Sequence, residues 1–342
     1  MLLRNTILGG LPPSGDQTLT AQWDFTMSGL TGIKGPTLTF TRASSATYWD
    51  ADQVLQTAGT NVARFDHDPS DGTALGLLIE EARTNVCLNS EDVEGANWND
   101  PGDITVTGGQ TAPDGNATAQ DLLFDDTASG GFTQDVTVTA DADFCFSVFV
   151  KQGLTGSHDY VRLYLIETTG SSGFQGWFNI STGSVGTTQS FSGGSLTASG
   201  IEDSGNGWYR VWLSGKLTTG QSDLTIRAFN ADGDNSSIED DAASVLYWGW
   251  QVEVGAFPTS YIPTTTAAVA RAADNCFTTD MTFWGNRDDP KTIVVGFKYP
   301  PVTTSATYVL NERDTVGNSG DEWRLLYTLA DRDWETDRKS VV

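Results

Sequence analysis

Histidine and cysteine are scarce in this 342-residue chain, which has two of the first and three of the second. With only His67 and His158, a histidine-rich metal site or a Ser-His-Asp triad is hard to assemble. Cys87, Cys145 and Cys276 are odd in number and far apart, so they make no disulfide framework, and no CxxC pair offers a thiolate zinc site. Basic residues are also few: 19 Lys and Arg stand against 44 Asp and Glu, a formal net charge of −25. Gripping nucleic acid or an anionic membrane needs clustered cations, so neither is an expected partner. No apolar run approaches the ~20 residues needed to cross a bilayer, so membrane insertion is not expected either. Residues 1–13 hold one Arg and a short apolar patch broken by Asn5 and Gly9-Gly10, too short for a signal peptide. The sequence contains no P-loop, dinucleotide fingerprint or nucleophile elbow in a supporting context.

What is present points to strands. A hydrophobic fraction of 38% and an aromatic fraction of 11% are too high for a disordered acidic tail. Thirty-seven Gly and eleven Trp, among dense Thr and Ser, favour short strands and turns. The expected fold is all-β: an irregular extended arm over 1–85, an antiparallel jelly-roll sandwich over 86–263, a linker over 264–275, and a second β-sandwich, cut short, over 276–336. Short extended pieces are expected at 19–25 and 37–41, so residues 1–85 are read as an extended arm or a small β-region that packs on neighbours, and 77–84 is a fair but short helical candidate. In the sandwich, 144–150 is apolar on nearly both faces, as in a central strand. Residues 160–167 alternate, and 177–180, 208–213, 224–230 and 245–254 complete the visible strands. Alternation places Leu246, Trp248, Trp250, Val252 and Val254 on one core-facing side, opposite Tyr247, Gln251 and Glu253. Further strands are expected near 292–297, 306–311 and 322–329. The last six residues, Asp337-Arg338-Lys339-Ser340-Val341-Val342, match one reading frame of a common short-read sequencing adapter; they are expected to be an assembly artefact on a truncated gene.

Several stretches carry a family resemblance. They are Leu38-Thr39-Phe40-Thr41-Arg42-Ala43-Ser44-Ser45-Ala46-Thr47-Tyr48, then Gly59-Thr60-Asn61-Val62-Ala63-Arg64-Phe65-Asp66-His67-Asp68-Pro69, then Gly76-Leu77-Leu78-Ile79-Glu80-Glu81-Ala82-Arg83-Thr84-Asn85. Gly207-Trp208-Tyr209-Arg210-Val211, Gly255-Ala256-Phe257-Pro258-Thr259-Ser260-Tyr261-Ile262-Pro263-Thr264 and Arg271-Ala272-Ala273-Asp274 follow. In order and wording, over roughly residues 37–275, they resemble virion surface proteins of tailed bacteriophages, of the tail-fibre and head-spike type. The resemblance implies a carbohydrate-binding-module-like jelly roll followed by a concanavalin A-like domain. It also implies synthesis in the host bacterial cytoplasm, a place on the virion surface beside other virion proteins, and a homotrimer.

Sugar binding uses flat rings against the apolar face of a pyranose. Trp208 and Trp212 share a strand face with Arg210 between them, and Trp177, Tyr160 and Tyr164 are further candidates. The competing reading for each ring is packing in the core. Asp232, Asp234, Ser236 and Asp240 alternate around a Gly turn and could supply the oxygen ligands of a structural Ca²⁺. Position twelve of that pattern is Ala243 rather than Glu, and a solvated acidic hairpin is the other reading. Two carboxylate pairs, Glu80 with Glu81 and Asp66 with Asp68, are poor glycosidase candidates, because sequence neighbours on a strand point to opposite faces. Glu80, Glu81 and Arg83 read better as ion pairs. The expected function is a non-enzymatic virion structural protein that displays a glycan-binding sandwich to the host cell surface. The alternatives are a polysaccharide depolymerase with its catalytic part missing, or a purely structural spacer or decoration protein.

Overall fold

A computed structural model describes residues 2–9, 21–27, 29–99, 104–124, 131–156, 158–168, 172–236, 243–280, 282–284, 292–298, 307–311 and 324–327. Strands β1 (Leu2–Gly9), β2 (Ala21–Asp24), β3 (Thr39–Thr41), β4 (Ala46–Trp49), β5 (Leu55–Ala58), β6 (Phe65–His67), β7 (Ala74–Leu78) and β8 (Arg83–Asn85) come first. The sandwich follows as β9 (Ile104–Gln110), β10 (Ala119–Phe124), β11 (Thr133–Thr137), β12 (Phe144–Gln152), β13 (Tyr160–Glu167) and β14 (Gly173–Asn179). It continues through β15 (Ser184–Phe191), β16 (Ser195–Asp203), β17 (Tyr209–Lys216), β18 (Asp223–Ala231) and β19 (Val245–Val254). After it come β20 (Val269–Arg271), β21 (Asn275–Phe277), β22 (Thr292–Lys298), β23 (Thr307–Asn311) and β24 (Arg324–Tyr327). The fold is all-β, as expected, and its largest unit is an antiparallel sandwich. A six-stranded sheet in the order β16-β17-β12-β19-β10-β9 faces a five-stranded sheet in the order β11-β18-β13-β14-β15.

The double-sided apolar run of β12 has a direct cause. Phe144, Phe146, Val148 and Val150 point between the sheets into the main core, with Val161, Leu163 and Leu165 of β13 and Leu224 and Ile226 of β18. Phe149 points the other way, into a second core with Leu55, Trp208, Leu246, Trp248 and Tyr261. The six-stranded sheet is therefore buried on both sides, and the N-terminal residues supply the second cover. The β4–β5 hairpin lies over this outer surface, with Trp49 edge-on to Phe149 at 6.3 Å. Residues 39–85 are thus folded into short ladders, a small β-region packed on its neighbours rather than an extended arm. The helical candidate at 77–84 is also corrected: β7 and β8 occupy it, and Leu77 is fully buried between β1 and β6.

Strand β19 departs from simple alternation. Gly249 takes a φ of +67°, and the pairing with β12 shifts there, from Ser147 opposite Gln251 to Phe149 opposite Trp248. This is a β-bulge, and it flips the phase of the strand. Tyr247, Trp250 and Val252 consequently join the inter-sheet core, while Leu246 and Trp248 face the N-terminal cover. The expectation of one continuous apolar face from Leu246 to Val254 is corrected accordingly. The Tyr247 hydroxyl donates to Asn230 Oδ1 at 2.9 Å within that core.

Residues 264–275, expected as a linker, are part of the folded unit. Strand β20 pairs with β8 and β21 pairs with β3, so the chain returns to its N-terminal ladders after the sandwich. Further on, β22 pairs with β1, and β23 pairs with β24. Residues 337–342, with the adapter-like ending, lie outside the described residues.

Candidate functional site

Strand register fixes the outer face of the five-stranded sheet. Tyr164 sits opposite Arg227 on β18 and opposite Gln175 on β14, and Gln175 sits opposite Gln189 on β15. The next row holds Phe229, Arg162 and Trp177. Because β13 alternates, Val161, Leu163 and Leu165 fill the core and Tyr160, Arg162, Tyr164 and Ile166 are left on the outside, half-buried.

The side chains on this face interlock. The Arg162 guanidinium lies 4.8 Å from the Tyr164 ring centre, 5.2 Å from Trp177 and 5.3 Å from Phe229. Its Nε and Nη2 donate to Gln175 Oε1 at 3.1 and 2.5 Å, and Gln175 Nε2 donates to Gln189 Oε1 at 2.9 Å. Arg227 lies 5.7 Å from the Tyr164 ring, and Phe191 stacks on the same ring at 5.4 Å. Gly173 makes room for that stack, since a Cβ there would stand 2.9 Å from Phe191 and 2.1 Å from the Leu165 carbonyl. The result is a flat, half-buried surface of two guanidiniums, two primary amides and aromatic rings. Rigid planar groups with in-plane N–H donors suit a ligand rich in hydroxyls.

Three of the six expected ligand residues, Tyr160, Tyr164 and Trp177, meet on this face. Trp177 is not an open platform, however: it is 2% exposed, and its Nε1 donates to the Ser236 carbonyl at 2.6 Å. The other three lie on the opposite sheet, beneath the N-terminal cover. Trp208 is 2% exposed, Trp212 3% and Arg210 7%. Trp208 packs in the second core, and the Trp212 indole lies flat across Gly200, where a Cβ would come within 2.5 Å of it. Arg210 fastens the segment that follows β19 to the sheet, donating to the Thr259 carbonyl at 2.7 Å and to Ser147 Oγ at 2.9 Å. Trp208 is corrected to a packing residue, because Leu55 and Trp49 of the cover close on it, whereas Arg210 and Trp212 stand nearly buried at the wall of a cleft of about 530 Å³ between cover and sandwich. Arg162, Gln175, Gln189, Phe191 and Arg227 were not singled out in the sequence; the alternation of β13 was the signal that could have located them.

The acidic loop holds the sheet edge. Asp234 Oδ1 accepts from the Thr187 amide at 2.7 Å and Oδ2 from the Thr187 hydroxyl at 2.9 Å, while Gln189 donates to Asn235 at 2.6 Å. Both oxygens of Asp234 are thus already engaged by β15. Asp240 lies outside the described residues, and among the described residues no group of three or more His, Cys, Asp or Glu side chains could hold a metal ion.

The carboxylates of the N-terminal region divide between two roles. Glu80 and Asp274 enter a buried cluster with Arg42, Arg64 and Arg271. Arg42 Nη1 is 3.1 Å from Asp274, Arg64 Nη1 is 2.7 Å from Glu80, Arg64 Nη2 pairs with Asp274, and Arg271 Nη1 is 3.3 Å from Glu80. Ser260 donates to Glu80 through its amide at 2.8 Å and its hydroxyl at 2.6 Å. Burial alone would raise the Glu80 pKa; Arg64, Arg271 and Ser260 together hold it well below the usual carboxylate range. Glu81 instead pairs with Arg83 at the surface. Asp66 lines a cleft of about 530 Å³ between cover and sandwich, where burial pushes its carboxyl up to about 6 despite a 2.7 Å hydrogen bond from the Trp49 amide. Asp68 accepts from the amide and hydroxyl of Ser70 within its own turn, and thus caps that turn.

No protein-family model matches the chain, and no curated protein matches it. Two solved structures are similar over half of it. One is the CBM22-1 xylan-binding domain of Paenibacillus barcinonensis Xyn10C, at 13% identity and a TM-score of 0.31, matched over 50% of this chain and 92% of that one. The other is the enzymatically active domain of tailspike protein 4 from bacteriophage CBA120, at 14% identity and a TM-score of 0.30, matched over 50% of this chain and 21% of that one. At these values neither ligand nor activity passes to this chain.

Proposed function

We propose that the chain is a surface protein of a tailed-phage virion whose sandwich binds a host-cell glycan without chemistry, through the outer face of the five-stranded sheet. The observation that carries this reading is the Arg162, Tyr164, Gln175, Gln189, Phe191 and Arg227 surface, which is flat, rich in donors and braced from beneath by Trp177 and Phe229. The family resemblance of residues 37–275 supports the virion setting, the neighbouring virion proteins and a homotrimer. Multiple copies would compensate for a weak single site, since linked sites raise overall avidity by orders of magnitude.

The test is binding of the full chain, displayed in several copies on streptavidin, to an array of bacterial surface polysaccharides. Binding that Tyr164→Ala and Gln175→Ala abolish, with the melting temperature kept, is the expected result. Silence across the array refutes glycan binding, and progressive shortening of a polymer on incubation refutes the non-enzymatic part in favour of a depolymerase.

A further inference from the structure

We infer that the glycan bound on this face is acidic, and that Arg227 receives its anionic group. The inference rests on the proposed glycan-binding role of the face and narrows its ligand. The chain carries a formal charge of −25, with more than two acidic residues for each basic one. In such a chain an arginine finds a carboxylate easily, as the largely buried Arg83 does with the exposed Glu81. Among the described residues Arg227 does not: its guanidinium is held 5.7 Å from the Tyr164 ring centre, its Nε is buried without a hydrogen-bond partner there, and it enters no ion pair with them. The register explains this. Its direct cross-strand partners are Thr133 on β11 and Tyr164 on β13, neither of them anionic. The closest acid on β11, Asp135, sits one row further along, opposite Thr225, and accepts that residue's hydroxyl at 2.5 Å. Arg162 adds a second positive charge beside the same tyrosine, oriented by Gln175.

Two arginines around one ring make a local positive site on a negative protein. A neutral polysaccharide gains no charge attraction from such a site, whereas a polymer bearing carboxylates is drawn to it and repelled elsewhere. A guanidinium presents paired N–H donors that match a carboxylate in a planar, bidentate way. The ligand class is therefore a uronate-type or otherwise carboxylate-bearing polysaccharide, with sugar hydroxyls meeting Gln175 and Gln189.

The test uses matched polymers and the full chain displayed in several copies. Polygalacturonate, alginate and hyaluronan are each presented beside their carboxyl-reduced, neutral forms, at two salt concentrations. Stronger binding to at least one acidic form is expected, with loss on carboxyl reduction, weakening as salt rises, and a drop of ~10-fold or more in Arg227→Gln, the size of a lost charge-assisted bond. Arg227→Lys should restore part of the affinity, and both variants should keep the parent melting temperature. Equal binding to the acidic and reduced forms overturns the acidic-ligand inference and leaves glycan binding standing. Binding to neutral polysaccharides alone does the same. Absence of binding to every polymer, acidic or neutral, overturns both.

Discussion

Replacing Asp274 by Asn should unlock the N-terminal cover from the sandwich. Asp274 accepts from Arg42 Nη1 at 3.1 Å, from Arg64 Nη2 and from the Glu80 amide at 2.8 Å, and its own amide donates to the Glu80 carbonyl at 2.8 Å. The side chains of Arg42, Arg64 and Asp274 are wholly buried. Arg42, Arg64 and Arg271 carry three positive charges, which Glu80 and Asp274 offset with two negative ones. The Asn variant keeps the shape but leaves Glu80 alone against all three, and turns amide hydrogens toward guanidinium donors. Breaking a buried pair in this way costs about 3–5 kcal/mol, because the surviving charge stays desolvated. At about 2 °C per kcal/mol for a chain of this size, the melting temperature should fall by roughly 6–10 °C. Scanning calorimetry on the full chain measures this, with Glu81→Gln as the internal comparison. In the Glu81–Arg83 pair the Glu81 side chain is 56% exposed and that of Arg83 11%, so water reaches the acid and the loss of the pair should cost only about 1 kcal/mol. If Asp274→Asn melts within about 2 °C of the parent, or no lower than Glu81→Gln, the cluster is not what fastens the cover.

Three further outcomes follow from the same geometry. Asp66 favours its protonated form when folded, with a pKa of about 6, so its contribution is full below about pH 4 and is lost as pH rises through 6. Asp66→Asn should remove that slope in a pH series of denaturant melts and raise stability at pH 7 by up to ~3 kcal/mol; an unchanged slope refutes the assignment. Gly249→Ala must place a Cβ 2.9 Å from Phe149 at a φ of +67°. Backbone strain and overpacking together should cost about 2–4 kcal/mol in denaturant midpoint, and a neutral result would mean the bulge relaxes. Trp208→Ala should cost ~3–5 kcal/mol as a core truncation while leaving glycan affinity unchanged in the fraction that folds; a selective loss of affinity would return Trp208 to the binding site.

The sequence disclosed the sandwich where strands carry apolar alternation. Tyr160–Glu167 and Val245–Val254 were legible to the residue, and β12, β17 and β18 nearly so. Strands β15 and β16 were not, because Ser184–Phe191 and Ser195–Asp203 are polar stretches with exposed or half-buried side chains. The faces of β19 were misjudged from one residue, Gly249, since a bulge reverses alternation without any change in hydrophobic content. The tryptophans were misplaced for a different reason. Trp208, Arg210 and Trp212 do share one side of the chain, but residues over 100 positions away lie over that side, closing on Trp208 and leaving Arg210 and Trp212 at the wall of the cleft. Composition within a strand cannot reveal such a cover.

The stretches that carry the family resemblance and the face proposed for binding are different sets of residues. Arg42, Arg64, Glu80, Ser260, Arg271 and Asp274 all fall in the resembling stretches, and all meet in the one buried cluster. Asn85 and Arg210 fall there too. Asn85 Nδ2 donates to the Trp250 and Ile262 carbonyls and its Oδ1 accepts from the amides of Cys87 and Val252, while Arg210 clamps Thr259. These side chains hold cover, sandwich and returning chain together, and none of them reaches the five-stranded sheet's outer surface. Arg162, Tyr164, Gln175, Gln189, Phe191 and Arg227 lie outside every one of those stretches. Locking the scaffold and receiving the proposed ligand are therefore tasks of separate residues. A relative that kept the Arg–Glu–Asp cluster but replaced Arg227 by an acid should fold alike and refuse an acidic glycan. Transplanting residues 162, 164, 175, 189 and 227 between two such chains should carry the preference with them, at little cost to the melting temperature. If the preference stayed with the cluster instead, the binding surface would have to be sought in the cleft under the cover.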